Sequence, residues 1–214
     1  MPKVVDRNAR RYDIADATLR LAAREGLEAV SIRSVAAEAG MSAGAVQKYF
    51  ATKDELLLCA LDLSDERLVQ RWRELPGDAP LTDYLREALP LDERTREENA
   101  LLWSFTARAA YRPEWARRIA ASYRELHDML VAALGGTAGE SAETSEGRSV
   151  DDLAHAIIAL TDGFAHRMMQ HSPDDPEVEG LLRALEHAVT VLLTTDPLLP
   201  SGPQGQTGPV TTEQ

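Results

Sequence analysis

The sequence predicts an all-α fold, and three observations carry that expectation. Ala and Leu are abundant while aromatic residues make up only 5% of the 214-residue chain, a bias toward helix formers. Apolar residues recur at three- and four-residue spacing in one segment after another, and no segment reads as a convincing strand. Internal repeats are absent. The elements divide into an N-terminal three-helix unit (8–68), a C-terminal helical unit (69–195) and a tail (196–214) broken by Pro and Gly, expected to be disordered.

Residues 1–7 read as an unstructured arm, and the first helix is expected from Asn8 to Glu25, with Ile14, Ala17, Thr18 and Leu21 inward and Gly26 ending it. Leu27 and Val30 should pack beneath the next two helices. Ser31 is a plausible N-cap for a short helix whose inner face is Ile32, Val35, Ala36 and Ala39. Gly40 can take the left-handed backbone that ends it, and Met41 can fold back on the apolar side. Ser42 opens a second short helix with Val46 and Phe50 inward. Its outer positions, Ala43, Gly44, Ala45, Gln47, Lys48 and Tyr49, are small or hydrogen-bonding where a solvated helix would be charged. Residues 31–50 therefore predict a helix-turn-helix whose second helix enters a DNA groove.

Thr52-Lys53-Asp54-Glu55 reads as a reciprocal capping box opening a long helix to about Leu75, where Pro76 and Gly77 stop it. Helices are then expected at 81–89, 95–111, 113–134, 149–170 and from 176 to near 195, with a polar loop at 137–148. Ile157, Leu160, Phe164 and Met168, and then Leu181, Leu185, Val189 and Leu192, stripe the last two. Ala156, Ala159, Gly163 and Ala165 keep the first of them low enough for another helix to approach.

Net charge is −12, which at first sight argues against nucleic acid. Its distribution removes the objection. Through Lys53 there are nine Lys or Arg against six Asp or Glu, and thereafter fourteen against twenty-nine, so a module of +3 precedes a body of −15. Phosphate contacts are local, so such a module can still bind DNA. No apolar run approaches the roughly 20 residues needed to span a bilayer. The first residues carry no signal core, and the single cysteine, Cys59, excludes an intrachain disulfide; a cytoplasmic protein is expected.

From IADATLRLAAREG through VSIRSVAAEAGMSAGAVQKYF to ATKDELL, the chain resembles the TetR (tetracycline-repressor) family of bacterial transcription regulators. The Gly-Met-Ser turn, the Tyr-Phe pair and the Thr-Lys-Asp-Glu helix start occur in that family's order and spacing. One departure stands out: many members have an aromatic residue where Gln47 stands, so no operator sequence carries over. The resemblance implies an N-terminal DNA-binding domain and a C-terminal ligand-binding and dimerisation domain. It also implies a homodimer joined through the last two long helices, double-stranded operator DNA as partner, and a small-molecule effector. Repression over activation rests on family habit.

On that footing Lys48 and Lys53 are expected at phosphates, and Arg33 at a phosphate or a guanine edge. Tyr49 divides its ring and hydroxyl between packing and phosphate; Ser42, Ala43 and Gly44 approach the DNA backbone. Gln47 can donate to and accept from adenine. Arg10 and Arg11 can add non-specific attraction. Effector candidates are Trp103, Phe105, Tyr111, Trp115, Tyr123, His127, Met129, Phe164, His166 and Met168, chosen because aromatics concentrate between 103 and 123 in an aromatic-poor chain; core packing is the commoner role for such residues.

An enzyme is the first rival. No phosphate loop, nucleophile elbow or His-Glu zinc motif is present, and His155 and His166 lie about 16 Å apart along one helix, too far to share a metal. Asp162 and His166 are spaced to pair with one another, and Cys59 is expected buried and inert. No cofactor is expected. The second rival is a protein-interaction module whose acidic body forms the interface without specific DNA binding.

Overall fold

A computed structural model describes residues 7–135 and 149–194. The expectations for the N-terminal arm, the 137–148 loop and the tail fall outside these residues. Among the described residues the chain forms α-helices, one short 3-10 turn and no strand. The helices are α1 (Arg7–Glu25), α2 (Ile32–Glu38), α3 (Ala43–Gln47), α4 (Lys53–Glu74), α5 (Leu81–Ala88), α6 (Glu93–Ala109), α7 (Pro113–Ala133), α8 (Val150–Met168) and α9 (Pro176–Thr194).

Local chemistry sets most of these boundaries. Ser31 accepts from the Ser34 N–H, and the Ser34 hydroxyl accepts from the Ser31 N–H, a closed reciprocal cap on α2. Gly40 sits at φ 64°, which lets the Met41 N–H reach the Ala36 carbonyl at 2.8 Å and turn the chain toward α3. Ser42 caps α3 by accepting from the Ala45 N–H, and Pro113 opens α7. Two starts differ from expectation. Thr52 caps α4 as foreseen, but the Glu55 carboxylate reaches past it to the Ala51 N–H at 2.8 Å. α6 begins two residues early because Asp92 and Thr95 cap it reciprocally.

The apolar stripes then assemble two clusters. In the first, Ile14, Leu21, Val35, Val46, Phe50 and Leu57 of the N-terminal helices pack with Leu101, Phe105, Trp115 and Ile119 of α6 and α7. The second joins Leu89 and Val131 to Ile157 and Met168 of α8 and to Leu181, Leu185 and Val189 of α9. Burial of this apolar area is the main stabilising term. Polar clasps fix the angles between layers. Arg71 of α4 donates to both carboxylate oxygens of buried Glu98 on α6 and to the Glu87 carbonyl. Arg96 of α6 donates to the Met168, Met169 and His171 carbonyls at the α8 C-terminus, where helix carbonyls lack intrahelical partners.

Candidate DNA interface and effector seat

α2 and α3 form the predicted helix-turn-helix, held from behind by α1. Val35, Ala36, Val46 and Phe50 are buried, which turns Ser42, Gly44, Gln47 and Lys48 outward on α3 and Arg33 outward on α2; Ala43 is half-buried. α3 ends at Gln47, and Tyr49 and Phe50 follow in a turn. The Tyr49 ring packs against the core while its carbonyl accepts from Arg11 at 3.3 Å. Arg11 also lies 4.6 Å over the Phe50 ring and 3.8 Å from the Cys59 sulfur. It pins the end of α3 to α1, a structural task that sequence reasoning missed when it gave Arg11 to the DNA backbone.

Charge pairing sorts the remaining cations. Arg10 pairs with Asp13, Arg20 with Asp16 and Glu38, and Arg24 with Glu25 and Glu38. Lys53 is held by Glu28, whose carboxylate also takes Arg108 from α6. The Arg108 hydrogen bond, and then the Lys53 one, hold the Glu28 carboxyl below its ordinary range. The side chains of Arg33, Gln47 and Lys48, by contrast, make no hydrogen bond or ion pair among the described residues. These three present unused donors on the face where DNA is expected.

The effector candidates scatter. Phe105 and Trp115 stack at 4.4 Å inside the first cluster, both essentially buried, so they are core side chains beneath α1–α4. Met168 is buried in the second cluster. Tyr111 is 87% exposed in the turn after α6, away from any cavity, and Met129 is also exposed. Phe164 borders a shallow depression with Ala159, Leu160, Gly163 and Arg167 on the outer side of α8.

Tyr123, His127, Trp103 and His166 share a different feature. α8 lays His155, Asp162 and His166 along one face, and each meets a side chain from a neighbouring helix. His127 of α7 stacks on His155 at 4.3 Å, the Tyr123 hydroxyl of α7 donates to Asp162 at 2.7 Å, and Trp103 of α6 meets His166 edge-on at 5.2 Å. Asp162 therefore pairs with Tyr123, not with His166 as its spacing had predicted. A groove of about 600 Å³ runs between α7 and α8 past Tyr123, His127, His155, Ile158 and Asp162. Trp103 Nε1 and His127 Nε2 are buried without a hydrogen-bond partner. Burial pushes the Asp162 carboxyl up, against the opposing effect of the Tyr123 hydrogen bond. It also pushes the Tyr123 hydroxyl up, aided by the Asp162 charge. The Cys59 thiol is raised by burial, with Arg11 opposing, which disfavours its reactive form. No group of metal ligands forms among the described residues, and no helix there is long and apolar enough to cross a membrane.

An exposed short helix on a Gly-turn scaffold, set on an acidic helical body, defines a class of helical DNA-binding regulators. Comparison with known proteins gives the family. Residues 14–60 match the bacterial regulatory proteins of the tetR family, and residues 78–194 match the C-terminal part of BetI-type transcriptional repressors. The HTH-type transcriptional regulator PksA of Bacillus subtilis (strain 168) is 33% identical over 179 residues, 79% of this chain and 83% of PksA. The nicotine-responsive transcriptional repressor HdnoR of Paenarthrobacter nicotinovorans is 29% identical over 184 residues, 80% of this chain and 89% of HdnoR. A crystal structure of a transcriptional regulator from Rhodococcus sp. Rha1 superposes with a TM-score of 0.70 at 32% identity, covering 86% of this chain and 95% of that one. The chain belongs to the TetR family of transcriptional regulators.

Proposed function

We propose that this protein is a cytoplasmic repressor that binds a palindromic operator as a homodimer and lets go when a small molecule occupies its helical body. The observation that carries the DNA half is the contrast in side-chain pairing: Arg33, Gln47 and Lys48 stay unengaged while neighbouring cations are satisfied internally. Arg33 and Lys48 take phosphates, Gln47 reads a base edge, and Ser42, Ala43 and Gly44 come close to the sugar-phosphate strand. Ser42 supplies its hydroxyl hydrogen, its oxygen being already used as the cap of α3. Tyr49 adds its hydroxyl, which has no partner among the described residues.

Two-fold pairing through α8 and α9 supplies two such surfaces for two half-sites. Supporting it, α8 carries Ala159 and Gly163 exposed beside half-buried Leu160 and Phe164, and Val191 of α9 is 40% exposed. An effector that favours a body conformation with mismatched DNA-binding surfaces lowers operator affinity by the coupling free energy, and operator lowers effector affinity equally. The name of HdnoR joins repression to a small molecule in that relative. No catalytic step belongs to this reading.

Selection of bound duplexes from a random pool, followed by mobility shifts across salt, tests it. The expected result is a two-fold symmetric site whose affinity falls with salt, the log–log slope shrinking by about one for Lys48→Ala. Gln47→Ala should relax preference at one position in each half-site, with roughly 1–3 kcal/mol of discrimination lost there. Absence of binding to any duplex at low salt would overturn the reading in favour of an interaction module.

A further inference from the structure

From the groove between α7 and α8 we infer that the effector is a flat organic cation, seated against the Asp162 carboxylate and among the rings of Tyr123, His127 and His155. This rests on the proposed effector-responsive function and names the ligand's chemistry. Asp162 is a half-buried carboxylate that receives one hydrogen bond, from Tyr123, and has no cationic partner among the described residues. A desolvated charge without a counter-ion is costly, and the cost is recovered when a cation enters.

The surroundings have the matching sign. Asp128 and Asp151 stand 3.5 and 3.6 Å from the two ring nitrogens of His127, and Arg124 is the one permanent cation lining the groove. The body beyond Lys53 carries an excess of fifteen negative charges, fourteen Lys or Arg against twenty-nine Asp or Glu, which draws cations toward it. Aromatic and imidazole faces complement a delocalised cation through their quadrupoles and through stacking. The volume of about 600 Å³ lies within the range of small-molecule sites. A flat molecule fits because the groove is the slot between two helices. A ligand bearing a hydrogen-bond acceptor can also use the buried Trp103 and His127 nitrogens, which have no partner.

Fluorescence titration of the full-length protein with proflavin, a three-ring cation, and acridine, the same ring system uncharged at pH 7.5, tests the inference without DNA present. Wild type should bind proflavin and discriminate against acridine. Asp162→Asn should weaken proflavin roughly tenfold to a hundredfold, the worth of a hydrogen-bonded charge, and leave acridine unchanged. Asp162→Glu, which restores the charge, should bring proflavin back to within a few-fold of wild type. Unchanged acridine affinity reports an intact groove, so a misfolded variant is recognised. Equal affinity for both dyes in wild type, or proflavin binding indifferent to Asp162→Asn, overturns the cation assignment. Operator affinity of the dye-free Asp162→Asn variant should equal that of wild type, so a protein that binds no DNA fails the functional proposal separately.

Discussion

Lys53 reaches back 25 residues to place its ammonium 3.3 Å from the Glu28 carboxylate and 3.4 Å from the Glu28 carbonyl. The lysine at the start of α4 is thus already engaged in the absence of DNA, and its partner is shared with Arg108 of α6. Phosphate must compete with Glu28 for it. Glu28→Gln should therefore strengthen binding to any duplex and steepen the log–log salt slope by up to about one, with half-site preference unchanged. Mobility shifts at several salt concentrations on specific and scrambled duplexes measure both. Weaker binding would mean that Glu28 orients Lys53 for DNA.

Gly44 separates the protein's own needs from those of its partner. A Cβ built there meets nothing within 4 Å, and the residue lies in regular helix. Gly44→Ala should raise unfolding stability by up to about 1 kcal/mol through helix propensity, read as a higher denaturation midpoint. Gly44→Leu should also fold, yet lose operator binding through collision with the DNA backbone. Full affinity in Gly44→Leu would place the DNA elsewhere.

Gly163 offers the same separation on α8. Nothing lies within 4 Å of an added Cβ there either, and the neighbouring Leu160 and Phe164 are only half-buried. Gly163→Leu should leave helicity intact, shift the protein from dimer to monomer in sedimentation equilibrium, and reduce operator affinity at nanomolar protein. A dimer of unchanged strength would move the pairing face off this part of α8.

Asp162 links stability to pH. Its folded carboxyl is raised above the ordinary value of 3.8, chiefly by burial. Below that ordinary value both folded and unfolded chains hold the proton, and no penalty exists. As pH rises through the window between the ordinary and the raised value, the folded state retains more proton and loses stability relative to the unfolded chain. Above the raised value the penalty is complete. Asp162→Asn should accordingly raise Tm relative to wild type at neutral pH, with the advantage shrinking as pH falls toward 3.8. A Tm difference that is constant across that range would show that the carboxyl titrates normally.

Much of the fold was legible in local sequence because the deciding chemistry is local. Ser31, Gly40, Ser42, Thr52 and Pro113 act within four residues of themselves, and period-3.6 stripes gave the buried faces of α1, α8 and α9. The exposure of Gln47 and Lys48 followed from burying Val46 and Phe50. What escaped was contact between distant helices. Asp162 had two suitors, His166 on its own helix and Tyr123 on α7, and spacing alone favoured the nearer. Arg11 looked like one more exposed cation until Tyr49, Phe50 and Cys59 were placed around it. Phe105 and Trp115 share the aromatic signal of Trp103 and Tyr123, and only packing distinguishes core from groove. An arginine within the motif, Arg24, carried a further clue: Glu38 stands fourteen residues away with no local partner of its own.

The stacking of Phe105 on Trp115 has a consequence for anyone wishing to graft this motif onto another regulator. Because those rings complete the floor under α1–α4, the N-terminal helices own no private interior, and excising them before Pro76 would strip away Leu101, Phe105, Trp115 and Ile119 at a stroke. A transplant that keeps its shape must carry α6 and the start of α7 along, so the unit of exchange is spatial and discontinuous in the chain.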